Sequence, residues 1–354
     1  MIRTSSLRLK WPFGQTLVLA LAMLVVFSSV SEVVARIPLV RSSLPPPSVG
    51  TIHAQFEVQL GRLDDLVAQE GPVDCIFLGS SSVHRGIDPE IVREAYREHT
   101  GRRIRCFTFG VGYVGLPADI ATLAAFIVKV YQPRLLVCET GAHQLVEDEL
   151  PKIQELTSSP WIQYHMGNPS LDGWLTEHSK AYGYYLLAAS TLRKPERARL
   201  CRADETEVTR YGYRPSYDVL EDVNSPPDPQ QEAVSYERLA DYEVSWRQLA
   251  GLEQLSRLQP QVQVLLLELP VAPAFVYFYG GGEEDYQRGT AVLKDYAERL
   301  GMPFWPTMQL NLIPDEGWKD RYHLNHIGAP VFSRWLGEQL GEAVNQGLLE
   351  DPAR

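Results

Sequence analysis

Two short segments, far apart in the chain, carry residues that together could perform acyl chemistry. Near the start, GSSSVHRG (79–86) sets Ser80, Ser81 and Ser82 directly after the apolar run CIFLG. A serine at a strand-to-helix turn is exposed, and neighbouring backbone N–H groups point into the same space as a helix N-terminus. Near the end, DRYHLNHIG puts Asp320 three residues before His323. An imidazole can take a hydroxyl proton while a carboxylate fixes its tautomer and stabilises the imidazolium, and Asp-x-x-His can do this within one turn. Serines also cap helices, and a histidine-rich turn can be a plain surface loop, so neither segment alone decides the matter. Asp320, His323 and His326 could instead form one side of a metal site. No matching Cys, His or carboxylate cluster occurs elsewhere in the sequence, so neither a metal nor an organic cofactor is expected.

These residues need a scaffold, and the order of elements supplies one. CIFLG reads as a buried strand, followed by a helix that Asp88 caps, Pro89 opens and Gly101 closes. RIRCFTFG is a second strand, Pro117 to Tyr131 a helix, and RLLVCETG a third strand. After an excursion from about 146 to 235, rich in tyrosine, proline and charge, the rhythm resumes. A helix is expected over 236–258, a strand in VQVLLLEL, a helix from about Glu284 to Leu300, a short strand in MPFW and a helix from Gly328 to Val344. Alternating strands and helices predict an α/β domain, a flavodoxin-like three-layer α/β/α arrangement with a mostly parallel sheet of about five strands. Ligands in such sheets sit beyond the carboxyl ends of the strands, where GSSSVHRG, GVGYVG and GAHQ all fall.

The 354 residues carry 33 Lys and Arg against 44 Asp and Glu, a net charge of -11. That balance disfavours a nucleic-acid binder, which must neutralise phosphates. With 45% hydrophobic and 22% charged residues the chain is neither disordered nor a polytopic membrane protein. Its four cysteines show no paired spacing; Cys75, Cys106 and Cys138 lie in apolar runs and are expected in the core. Arg3, Arg8 and Lys10 precede an uncharged run from Thr16 to Val30, which must meet a membrane. No tidy small-x-small cleavage site follows, favouring a single-pass anchor over a cleaved signal; either exports the rest of the chain, with the cationic leader left in the cytoplasm. The expected organisation is a leader and membrane segment (1–36), a linker and lead-in (37–72) with the proline-rich IPLVRSSLPPPSVG as extended spacer, the α/β domain (73–346) with its insert, and a short tail (347–354).

With both ends of the constellation in place, the sequence resembles the SGNH, or GDSL-like, hydrolases and acyltransferases over roughly residues 73 to 346, the insert excepted. The resemblance implies that Gly79-Ser80-Ser81 stands for the family's Gly-Asp-Ser, with Ser81 as nucleophile and its own N–H as an oxyanion donor, and that Asp320 and His323 complete the triad. The second block implies an oxyanion glycine, Gly112 or alternatively Gly110. The third normally reads Gly-x-Asn-Asp, and Gly141-Ala142-His143-Gln144 occupies its place, which makes His143 or Gln144 the remaining donor. Losing such a donor costs about 2.7–4 kcal/mol of transition-state stabilisation. GSS for GDS, an export signal and a long insert resemble membrane-anchored relatives that act on envelope polysaccharides or other extracellular acyl acceptors.

The expected function is therefore an exported, inner-membrane serine esterase or O-acyltransferase working on small acyl groups, such as acetyl, of an envelope glycan or small ester. The alternative is a catalytically silent glycan-binding or scaffold protein with envelope assembly partners. Arg85 could hold an anionic substrate group, though a solvated arginine fits the same position. The insert's Trp161, Tyr164, Trp174, Tyr182, Tyr184 and Tyr185 could stack on sugars or build a small core. YFYGGGEEDY (277–286) has the glycine content of a mobile lid, and equally of an ordinary loop.

Overall fold

The computed structural model describes residues 13–51, 53–147, 152–193, 206–230 and 232–353. The cationic leader of the sequence reading, with Arg3, Arg8 and Lys10, lies outside them, as does Cys201. Five strands form one parallel sheet in the order β2-β1-β3-β4-β5: β1 (Cys75–Gly79), β2 (Cys106–Gly110), β3 (Leu135–Glu139), β4 (Gln263–Leu267) and β5 (Phe304–Trp305). The first three strands are buried end to end, which explains why they read as unbroken apolar runs.

Side chains alternate between two cores, one on each face. Ile76, Leu78, Phe107, Phe109, Leu136, Cys138, Val264 and Leu266 point into one, where they meet α3 (Ala54–Glu70), α6 (Pro117–Tyr131), α12 (Trp246–Ser256) and α13 (Glu283–Arg299). Cys75, Phe77, Cys106, Leu135, Val137, Leu265 and Leu267 point into the other, facing α4 (Ser81–Gly86), α5 (Pro89–Thr100) and α14 (Gly328–Asn345). The result is an α/β/α arrangement whose strand order reverses between β1 and β3. Such a switch point opens a crevice at the carboxyl ends of the strands.

Several boundaries differ from the sequence expectation. Residues 54–70, placed in the lead-in, form α3, and its Phe56, Leu60 and Leu63 are fully buried. The proline-rich spacer is not extended throughout: Pro38–Ser43 forms the one-turn helix α2. The helix expected over 236–258 is two, α11 (Ala233–Leu239) and α12. Between them Tyr242 donates to Ala142 O (2.8 Å) and Ser245 N–H to Leu145 O (2.7 Å), so the break pins the loop after β3. The tail is anchored too, since Asp351 accepts the Tyr96 hydroxyl at 2.7 Å and pairs with Arg102.

The insert contains α7 (Lys152–Thr157), α8 (Pro160–His165), α9 (Leu171–His178) and α10 (Lys180–Arg193). Trp161 packs edge-on against Phe126 of α6 at 5.4 Å, so this aromatic belongs to the core rather than to a sugar platform. The insert's return leg covers the outer edge of the sheet, with Thr108 N–H donating to Tyr211 O at 2.9 Å. The glycine-rich 280–282 segment is packed down: Gly280 N–H bonds Leu239 O, and a Cβ there would lie 1.9 Å from Ala240 O. The chain's first described helix is α1 (Phe13–Arg36), whose window Gly14–Arg36 has a mean hydropathy of 2.4 and is long and apolar enough to cross a membrane or serve as a signal.

Gly110 closes β2 against α4, where a Cβ would sit 2.4 Å from His84 N. Gly110→Ala should therefore cost about 1–3 kcal/mol through overpacking, read as a lowered urea midpoint at unchanged slope. A midpoint equal to wild type would contradict this packing.

Candidate active site

The turn after β1 is built to present Ser81. Ser80 caps α4, its Oγ accepting Ser82 N–H at 3.1 Å, and Ser81 is the first residue of that helix. No described hydrogen bond uses the Ser81 N–H, as expected for the first donors of a helix. At the other end of the chain, Asp320 Oδ1 accepts the backbone N–H of Tyr322 (3.1 Å) and of His323 (2.9 Å), which curls the loop so that the ring folds back over the carboxylate. His323 Nδ1 lies 2.8 Å from Asp320 Oδ2, and His323 Nε2 lies 2.8 Å from Ser81 Oγ. A direct strut joins the two loops, because Ser82 Oγ donates to Tyr322 O at 3.1 Å.

Asp320 stays ionised across the neutral range. Burial pushes its carboxyl up, but the His323 hydrogen bond and charge, Lys319 and the Tyr322 N–H outweigh this and hold it at about 2. An ionised carboxylate fixes the His323 proton on Nδ1 and leaves Nε2 as the acceptor for the serine hydroxyl.

The oxyanion candidates separate by geometry. Gly112 lies in the turn Val111–Val114, closed by Val114 N–H to Val111 O at 3.1 Å, in which Tyr113 takes φ 67° and stands 74% exposed. A left-handed tyrosine costs about 1–2 kcal/mol, strain that collects at functional rims. The Gly112 N–H already donates to Gln55 Oε1 at 2.7 Å, and His53 Nε2 reaches Gly112 O at 3.1 Å. An oxyanion there would compete with Gln55. Gly110 is a packing glycine inside the sheet, as its contact with His84 shows. His143 sits in the single turn after β3 with its ring edge-on to Phe275 at 5.3 Å; desolvation, then Arg238, hold it neutral at about 3, so one ring N–H is available to donate. No described hydrogen bond links it to Ser81. Gln144, by contrast, is already engaged: its Oε1 accepts Gly141 N–H at 2.7 Å and its amide hydrogen-bonds Glu139. It is a framework residue.

Arg85 lies in the last turn of α4 and is partly exposed. Its charge, after burial and with that of Arg214, holds its fully buried neighbour His84 neutral at about 3. Gln55 Nε2 bonds His84 Nδ1, so one glutamine of α3 bridges α4 and the Gly112 turn. His326 is turned away from the site, its N–H and ring both meeting Ser216 O.

Sequence reasoning missed Gln55 and Glu139. Glu139 ends β3 and is 1% exposed; its Oε2 accepts Ser80 N–H at 2.5 Å and its Oε1 the Ser80 hydroxyl at 3.1 Å. It holds the residue before Ser81 from across the switch point. A carboxylate closing an apolar strand is itself a signal, since Glu is almost never fully buried without partners. Glu268 does the same at the end of β4, accepting Thr307 N–H at 3.0 Å and the Tyr286 hydroxyl at 3.0 Å.

Burial lifts the Glu139 carboxyl from 4.5 to about 7, against the bonds from Ser80 and Gln144 that lower it. The raised folded value means its contribution to stability is complete below the unfolded value of 4.5 and is lost as pH rises through about 7. Wild type should thus lose stability relative to Glu139→Gln between about pH 5 and pH 8, measured as the gap between urea midpoints; a gap independent of pH would contradict the assignment. No protein-family model matches the chain, and no curated protein matches it.

Proposed function

We propose that the chain is an SGNH-like serine esterase or O-acyltransferase that works through an acyl-enzyme on Ser81, on the outer side of a membrane crossed by α1. The observation that carries this reading is the continuous relay from Ser81 Oγ through His323 to Asp320, with both contacts at 2.8 Å. In the first half-reaction Ser81 Oγ attacks the ester carbonyl carbon as its proton passes to His323 Nε2. The carbonyl electron pair moves onto oxygen, where the unpaired Ser81 N–H meets it, joined by a ring N–H of His143 and by the Gly112 N–H once Gln55 yields it. Collapse breaks the ester C–O bond, and the imidazolium returns the proton to the leaving alkoxide. Water or an acceptor hydroxyl then enters by the reverse sequence, giving hydrolysis or transfer.

The substrate class rests on the resemblance and on the rim. Exposed Tyr113, and Tyr322 beside the His323 ring at 4.6 Å, offer aromatic faces to a sugar acceptor. A small acyl group such as acetyl, on a hydroxyl of an envelope glycan, is the proposed cargo. The second reading, a silent glycan-binding or scaffold protein, is favoured by one observation: Gln55 occupies the Gly112 donor.

Covalent labelling by a fluorophosphonate tests the choice. Wild type should label, Ser81→Ala should not, and Asp320→Asn should hydrolyse p-nitrophenyl acetate about 10³–10⁴-fold more slowly while remaining folded. Equal labelling of wild type and Ser81→Ala, or an undiminished Asp320→Asn, would favour the silent reading.

A further inference from the structure

The end of α1 is built into the insert. Glu32 Oε2 accepts the Ser179 hydroxyl (2.8 Å) and Ala181 N–H (3.1 Å), and its Oε1 accepts Lys180 N–H (3.1 Å). Ser179 Oγ takes Tyr182 N–H at 3.1 Å. The first three N–H groups of α10 are therefore satisfied, two of them by a carboxylate 148 and 149 residues earlier in the chain. Arg36 reinforces the joint by bonding Glu32 at 2.6 Å and His178 O at 3.3 Å, and Ala35 is 5% exposed beneath it. Residues Leu17 to Val30, in contrast, all stand exposed.

The apolar run of α1 ends at Val30, and Glu32 is its first charge. At about 1.5 Å per residue, whatever grips Glu32 and Arg36 lies about 3–9 Å beyond the hydrocarbon boundary, inside the headgroup layer. Two short helices are held there, and their outward side chains suit that layer. Trp174 stacks on His178, whose carbonyl Arg36 grips, with ring centroids 4.8 Å apart. Leu171 is 71%, Tyr185 63% and Leu192 84% exposed, beside the exposed cations Lys180 and Arg193. Amphipathic aromatics with flanking Lys and Arg are what a membrane interface selects.

We propose that α9 and α10 are a socket for the retained anchor and lie in the headgroup layer of the membrane that α1 crosses, with lipid as the partner of Leu171, Trp174, Tyr185 and Leu192. This rests on the reading of α1 as an anchor and is independent of the chemistry at Ser81. The linker beyond α2 then runs back along α3: Pro46 packs on Gly61, Glu57 accepts the hydroxyls of Ser48 (2.6 Å) and Thr51 (3.1 Å), and His53 arrives at the Gly112 turn.

The test uses the full chain, extracted from membranes and returned to phosphatidylcholine vesicles carrying lipids brominated close to the headgroup. Intact mass should retain residues 1–36, the chain carrying Trp11→Phe should show bromine-quenched tryptophan emission that adding Trp174→Phe removes, and Glu32→Ala should speed limited proteolysis of the 37–50 segment about tenfold. A mature protein lacking residues 1–36 would overturn the anchor and the socket together. A retained anchor with quenching unchanged on adding Trp174→Phe, or proteolysis unchanged in Glu32→Ala, would overturn the socket alone.

Discussion

The contact between Ser81 Oγ and His323 Nε2 spans 242 residues of sequence, and most of the structure around it serves to make that contact reproducible. A hydrogen bond of this kind is worth about 0.5–1.5 kcal/mol net, far too little to gather two loops by itself. The sheet does the gathering. Packing of α14 onto α5 brings the segment before it, with Asp320 and His323, over the carboxyl end of β1, and the Ser82–Tyr322 bond joins the loops one residue from the reacting groups. The relay is a consequence of the fold that the fold alone can hold to within a few tenths of an ångström.

Precision on the serine side comes from buried polar groups that would be costly without partners. Glu139 holds Ser80 through two bonds, Gln144 holds Glu139 and the Gly141 N–H, and Gln55 ties His84 to the Gly112 turn. In a medium of low dielectric such a network is rigid when complete and expensive when broken. Glu139 reaches Ser80 from the neighbouring strand, β3.

The division between what could and could not be read from sequence follows from range. Strands buried on both faces announce themselves as apolar runs, caps such as Asp88 and Gly101 mark helix ends, and Asp-x-x-His is a local motif, so the elements and the three relay residues were legible. The α3 helix was hidden because its apolar positions are interleaved with charge and follow a proline-rich stretch. Gln55 was hidden because a glutamine acquires meaning only from the partners that tertiary packing brings to it. Glu139 and Glu268 carried a readable signal, a carboxylate ending an apolar strand. Gln144, named only as a second possible donor beside His143, has its amide bent back by the turn onto Gly141 and Glu139, a partnership that only the folded turn reveals. The break between α11 and α12 was invisible because helical periodicity continues through it; the demand of the β3 loop for Tyr242 and Ser245 interrupts the helix.

On the proposed function, Ser81 becomes covalently acylated and His323 serves both halves of the reaction. Mass spectrometry of the full chain, quenched in acid during turnover of p-nitrophenyl acetate and then digested, tests this most directly. An acetyl increment on the peptide containing Ser81, growing in the Asp320→Asn variant if deacylation slows more than acylation and absent in Ser81→Ala, is the predicted result. Turnover that leaves Ser81 unmodified in wild type and in Asp320→Asn, or an increment located on another residue, would contradict it.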